Sequence, residues 1–246
     1  MKDKIRIPWF HYFGNRALRI VLPIVLKFDI KGLEHVPKEG ALIAATNHTS
    51  FLDSLVAVAY LRHDVLPIAK VELFNFPWGL IFHGYGAFPV RRGEADLSAL
   101  RRALQVLKEN HVLLIAPEGT RTKSGVMESA REGVALLAER SGAPILPLAV
   151  WGGKEFWHNL MRLRRTPFGF RIGEPVAVIA LPDKPDRQVL RAITDEVMVY
   201  IAGMLPSQYR GRYANAESIV PRYVKPARDI ATKTGAPKAK EVMPMS

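Results

Sequence analysis

His48 and Asp53 stand five residues apart in "NHTSFLD", directly after the apolar run "ALIAAT". A carboxylate one helical turn on can accept the Nδ1 proton of an imidazole, which fixes the tautomer and leaves Nε2 as a base. The chain has no G-x-S-x-G elbow, so this histidine would act on a substrate hydroxyl rather than on an enzyme nucleophile. Chance places a His-x4-Asp pair in about one of four chains of this composition, so the spacing needs further support.

Two more polar clusters supply it. "PEGTR", Pro117 to Arg121, follows the apolar run "VLLIA". Gly119 permits close backbone approach, Thr120 offers a hydroxyl, Glu118 can accept from hydroxyls, and Arg121 presents a fork that suits phosphate. "GAFPVRRG", Gly86 to Gly93, brings Arg91 and Arg92, which could reach the same phosphate. Taken singly, each cluster also fits a turn or a solvated edge.

The elements that must position these residues alternate. Strands are expected at Phe28–Gly32, Ala41–Thr46, Leu66–Ala69, Ala87–Val90, Val112–Ala116 and Ile145–Trp151, with two more near Gly169–Ile172 and Pro175–Ala180. Helices are expected at Phe51–Leu61, Ala95–Asn110, Glu132–Ser141 and Arg187–Leu205. This order predicts a single α/β domain over residues 29–222, with a mostly parallel central sheet flanked by helices. The His48 and Glu118 clusters follow strand C-terminal ends, where open α/β sheets place their ligands. The apolar segment Leu73–Phe88 reads either as an acyl groove or as ordinary core. Residues 223–246 read as a basic, disordered tail, from the Lys, Ala, Pro and Thr found after about Val224.

Residues 1–28 read as a helical segment. Trp9, Phe10, Tyr12 and Phe13 precede Arg16 and Arg19, and an apolar run ends at Lys27. Such a helix suits a membrane interface, the alternative being a helix packed on the protein's own body. The segment lacks the small-residue cleavage site of a secretory signal, and no run reaches the roughly 18 apolar residues of a spanning helix.

The chain of 246 residues has 35 Lys and Arg against 23 Asp and Glu, a net charge of +12. That balance suits anionic lipid, phosphate ligands or an acidic partner. No zinc-finger, RNP-like or basic-heptad motif points to nucleic acid. With no cysteine, disulfides, thiolate metal sites and thiol nucleophiles are excluded.

In this order the clusters resemble the glycerolipid acyltransferases of the lysophosphatidic acid acyltransferase type. That family carries N-H-x4-D, G-x-x-F-[IV]-x-R, [FY]-P-E-G-T-R and an apolar block with proline. Here these are "NHTSFLD", "GAFPVRR", "APEGTRTKSG" and "PILPLAVWG", spanning roughly Ile30 to Gly152. Ala116 departs from the usual aromatic, and Arg91 stands where many members have aspartate; Arg92 aligns with the family arginine. The resemblance implies His48 as base on an acceptor hydroxyl, Asp53 as its orienting acid, and direct attack on an acyl thioester without an acyl-enzyme. It implies Arg92 and Arg121 on the acceptor phosphate and Glu118 by the glycerol hydroxyls. The Gly119 amide and Lys70, which aligns with a basic family position, become donors to the oxyanion. No cofactor or metal is implied. The co-substrate is acyl-CoA or an acyl-carrier-protein thioester, the acceptor is like lysophosphatidic acid, and the enzyme sits peripherally or monotopically on an anionic membrane, at its cytoplasmic face. Rival readings are another lysolipid or lipid-linked acceptor, a metal-dependent hydrolase using His48, Asp53 and Glu118, and a non-catalytic lipid-binding module.

Overall fold

A computed structural model describes residues 4–62, 64–91, 96–179, 182 and 185–231. Helix α1 (Trp9–Val25) runs into strand β1 (Leu26–Lys31). Strand β2 (Leu42–Thr46) leads to α2 (Leu52–Tyr60), β3 (Val65–Lys70), α3 (Trp78–Gly84) and β4 (Phe88–Val90). Then come α4 (Leu97–Lys108), β5 (Val112–Ile115), α5 (Gly133–Ser141) and β6 (Ile145–Trp151). The remainder is α6 (Phe156–Met161), β7 (Thr166–Ile172), β8 (Val176–Val178), α7 (Arg187–Met204), β9 (Val224–Pro226) and α8 (Ala227–Ala231).

The strands make one sheet in the order β1-β7-β6-β2-β5-β3-β4, with β8 and β9 continuing from β6. β6, β2, β5, β3 and β4 are mutually parallel, whereas β7 and β8 run antiparallel to β6. The expected mostly parallel sheet is therefore present, with an antiparallel flank. All five residues of β2 are buried, as a strand covered on both faces requires. Leu42 and Ala44 face a core shared with α1, α2 and α6, while Ile43 and Ala45 face one shared with α4, α5 and α7.

Because five strands are parallel, their carboxyl ends share one edge. Thr46, Ile115, Lys70, Val90 and Trp151 end there, and the chain leaves each into a polar loop. Short caps fix the flanking helices: the Asp96 carboxylate accepts from the Ser98 and Ala99 amides, and Asp186 accepts from Val189.

One expectation changes, and two alternatives left open by the sequence narrow. The tail does not lose structure at Val224: β9 pairs with β8, and α8 follows. The cause is Glu196, buried within α7, whose carboxylate accepts the amides of Arg222, Tyr223 and Val224 at 2.8, 2.7 and 2.8 Å. The part of that tail from residue 232 on lies outside the described residues. The segment Leu73–Phe88 is not a closed core, since Leu73, Phe76, Leu80 and Ile81 are exposed on and around α3. Helix α1 packs on the body through His11, Gly14 and Leu22, while Trp9, Phe13, Ile20 and Ile24 are exposed. Among the described residues no helix is long and apolar enough to cross a membrane.

Candidate active site

His48 sits two residues past the end of β2, and Asp53 lies in the first turn of α2. Asp53 is fully buried, and its Oδ2 lies 3.2 Å from His48 Nδ1. The same oxygen accepts the Thr49 and Ser50 amides at 2.6 and 2.7 Å, and Oδ1 accepts the Ser50 hydroxyl at 2.9 Å. A carboxylate ringed by donors acts as an acceptor, so the proton between it and His48 belongs to Nδ1. Nε2 is then left with its lone pair, the arrangement of a general base.

Two main-chain bonds tie this turn to the loop after β5. The His48 amide donates to Glu118 Oε1 at 3.1 Å, and the His48 carbonyl accepts the Thr122 amide at 2.9 Å. Glu118 is buried, and its other oxygen accepts the Glu128 amide at 3.1 Å. Burial, with the charges of Glu128 and Asp53 nearby, pushes the Glu118 carboxyl up to about 7, although the two amides favour its ionised form. Both oxygens accept the protein's own amides, so Glu118 braces the loop against the turn that carries His48.

Gly119 has φ +72°, a conformation costly to residues with a Cβ, and an added Cβ would lie 3.3 Å from the Arg131 side chain. Its amide donates to the Ala116 carbonyl at 3.0 Å. That corrects the expectation of an oxyanion donor at this position, because closing the turn uses the N–H. The Thr120 and Arg121 amides bond to no acceptor among the described residues. Thr120 and Arg121 are exposed, and the guanidinium has no carboxylate partner among the described residues.

The sequence profile of the Acyltransferase family matches residues 27–151. The chain belongs to the acyltransferase family. It is 28% identical over 188 residues to the 1-acyl-sn-glycerol-3-phosphate acyltransferase of Bacillus subtilis, covering 74% of this chain and 90% of that one. It is 27% identical over 156 residues to a chloroplastic protein of the same name from Brassica napus, covering 61% of this chain but only 44% of the plant protein. The crystal structure of the 1-acyl-sn-glycerophosphate acyltransferase from Thermotoga maritima superposes with a TM-score of 0.55 at 25% identity, over 76% of this chain and 75% of that one.

On this acyltransferase fold the remaining predicted residues spread along the same sheet edge. Lys70 ends β3, two strands from β2, which is roughly 10 Å at the usual strand spacing. Its ammonium pairs with Glu72 at 2.9 Å, so nothing in the structure directs it toward His48. Arg91 follows β4, and its amide donates to Asp96 at 2.9 Å. Arg92 lies outside the described residues. On the opposite side of His48, beside Thr49, a cavity of about 230 Å³ opens between Ser124–Val126, Trp151, Lys154 and Tyr209.

Sequence reading undervalued two supports. Asn47 is buried and clasps β6 through both amide atoms: Nδ2 donates to the Val150 carbonyl at 2.9 Å, and Oδ1 accepts the Val150 amide at 2.8 Å. Gly153 lies so close to Ser50 that an added Cβ would sit 2.3 Å from its Oγ. An asparagine closing an apolar strand was the available signal for the first. The second depends on contact between segments a hundred residues apart.

Proposed function

We propose that the protein transfers an acyl group from a thioester to the free hydroxyl of a lysophosphatidic acid, giving phosphatidic acid for phospholipid synthesis. The observation that carries this reading is the His48–Asp53 pair, held at one sheet edge with Arg121, which has no carboxylate partner among the described residues, on the adjoining loop. The names of the Bacillus and Thermotoga relatives support the acceptor. His48 Nε2 takes the hydroxyl proton as the acceptor oxygen attacks the thioester carbonyl. The tetrahedral intermediate collapses with cleavage of the carbon–sulfur bond, and the departing thiolate receives the proton from the imidazolium. Asp53 holds the ring and offsets its transient charge. Arg121 and Arg92 bind the acceptor phosphate. The Thr120 and Arg121 amides, without an acceptor among the described residues, can donate to the oxyanion.

The acceptor lies along the edge toward β5, β3 and β4, and the donor thioester, from coenzyme A or acyl carrier protein, approaches by the cavity beside Thr49. The exposed apolar stripe of α1, with Arg16, suits a peripheral seat on an anionic membrane at its cytoplasmic face. The hydrolase reading is less favoured, because the oxygens of Asp53 and Glu118 are committed to N–H and O–H donors.

The test supplies purified protein with lysophosphatidic acid and an acyl thioester and follows thiol and phosphatidic acid together. Matched release that disappears in His48→Ala is expected, with a higher acceptor KM and nearly unchanged kcat in Arg121→Ala. Full turnover by His48→Ala, or chelator-sensitive hydrolysis without transfer, would overturn the proposal.

A further inference from the structure

The exposed apolar surface extends beyond α1 at both ends. Gly84 of α3 lies against the ring of Phe10, so α3 packs on the start of α1, and Phe76, Leu80 and Ile81, before and on α3, are exposed. At the other end Leu26 pairs with Thr166, and the Arg165 guanidinium donates twice to the Leu26 carbonyl, at 3.2 and 2.8 Å. The turn between α6 and β7 is thereby fixed at the point where α1, with exposed Ile20, Val21 and Ile24 in its last turns, runs into β1.

This turn holds apolar side chains out into water. Leu163 is 94% exposed and Met161 84%, and exposed Trp157 stacks on Phe51. Leu163 also has φ +54°, a conformation costly to a leucine and natural to asparagine or glycine. The turn is firmly made: the Leu163 amide donates to the Leu160 carbonyl at 3.0 Å, and the Arg164 amide donates to that of Asn159 at 2.9 Å. A strained, ordered backbone that exposes a leucine gains nothing from the protein's own packing. Arg162 and Arg164 flank the leucine, and neither has a carboxylate partner among the described residues.

We propose that the α6–β7 turn is a second membrane contact of this protein. Met161 and Leu163 enter the acyl region of an anionic bilayer while Arg162 and Arg164 meet its phosphates. With α1 and α3 it makes a three-part contact, which sets the orientation as well as the strength of binding. Charge complementarity selects anionic lipid over neutral lipid. Shape selects a bilayer over a protein partner: a stable protein interface needs about 800 Å² of matched surface per side, whereas a bilayer accepts a narrow protruding tip. The inference deepens the lipid-acceptor reading, yet vesicle binding is measured without turnover, so each can fail alone.

The full chain is floated with vesicles of phosphatidylcholine, alone or with phosphatidylglycerol. Leu163→Asn should weaken binding about tenfold and Leu163→Asn with Met161→Gln roughly a hundredfold. Arg162→Gln with Arg164→Gln should lower the preference for phosphatidylglycerol vesicles roughly thirtyfold. Asparagine relieves the positive φ, so the melting temperature of Leu163→Asn should equal or exceed that of the wild type, which separates lost binding from lost folding. Turnover of a monomeric acceptor without vesicles should be unchanged. Vesicle binding identical in all variants, or absent from the wild type, overturns the proposal. So does unchanged vesicle binding with a raised KM for an acyl-carrier-protein donor, which would assign the turn to a protein.

Discussion

Replacing Asp53 with asparagine isolates the charge on the acid from its geometry. In many His–Asp pairs such a change lets the new amide rotate and present its NH2 to the ring, which reverses the imidazole tautomer. Here the Thr49 and Ser50 amides, 2.6 and 2.7 Å from Oδ2, stand in the way. Rotation would set an NH2 against two N–H donors, so the oxygen stays toward His48. The Ser50 hydroxyl, 2.9 Å from Oδ1, can reverse and accept from the new NH2. What remains is the difference between a charge-assisted and a neutral hydrogen bond to the imidazolium, about 2 kcal/mol, or roughly a thirtyfold loss in kcat. The acceptor KM should hardly move, because the phosphate contacts are untouched. The assay is thiol release at saturating donor over a range of lysophosphatidic acid, with thermal unfolding as the folding control. A kcat within twofold of wild type would remove Asp53 from the chemistry. A loss near 10⁴-fold at unchanged stability would show that the tautomer had reversed and that the two amides do not hold the oxygen.

Other perturbations test the supports. Gly153→Ala should drive Ser50 off Asp53, costing about 1–3 kcal/mol of stability and lowering kcat; wild-type melting with wild-type turnover would show that the close approach relaxes freely. Asn47→Ala leaves the amide and carbonyl of buried Val150 without partners, so urea unfolding should report a loss of about 3 kcal/mol, and a loss under 1 kcal/mol would mean water replaces the clasp. Glu118 titrates at about 7 when folded against 4.5 in the unfolded chain, so its contribution to stability is full below pH 4.5 and is lost as pH rises to about 7. The size of that loss is about 3 kcal/mol, and Glu118→Gln should flatten it in denaturation midpoints measured from pH 4.5 to 8. A wild-type and variant difference that does not change with pH would refute the burial argument.

The parallel core was legible because its strands are covered on both faces. "LIAAT", "VLLI" and "ILPLAVW" must then be apolar throughout, and each is followed by polar residues that mark the functional edge. The contact between His48 and Asp53 was legible for a local reason: one turn of chain joins them. The Gly119 amide was misjudged because a turn glycine was read for the space it leaves, whereas the turn's own Ala116 carbonyl takes the N–H. Lys70 was chosen by family position, and its sequence neighbour Glu72 holds it instead. The order of residues 222–226 could not be read locally, because it comes from Glu196 in the middle of α7, which looks like an ordinary helical surface residue. Leu163 escaped notice for the same kind of reason: exposure and φ belong to the fold, and a leucine between arginines carries no mark of either.

His48 is held by the neighbouring loop through both its main-chain groups, the amide to Glu118 and the carbonyl to Thr122. The two motifs therefore behave mechanically as one body, with Arg121 carried between the attachment points. On the proposed reading, a phosphate drawing on Arg121 would pull on the backbone that carries His48, so anion binding there and placement of the imidazole would be coupled. Substitutions in the two motifs should then combine non-additively, and a double-mutant cycle between Arg121 and His48's neighbour Thr49 would measure that coupling directly. Moving either motif alone into another α/β scaffold would leave behind the half that sets its position.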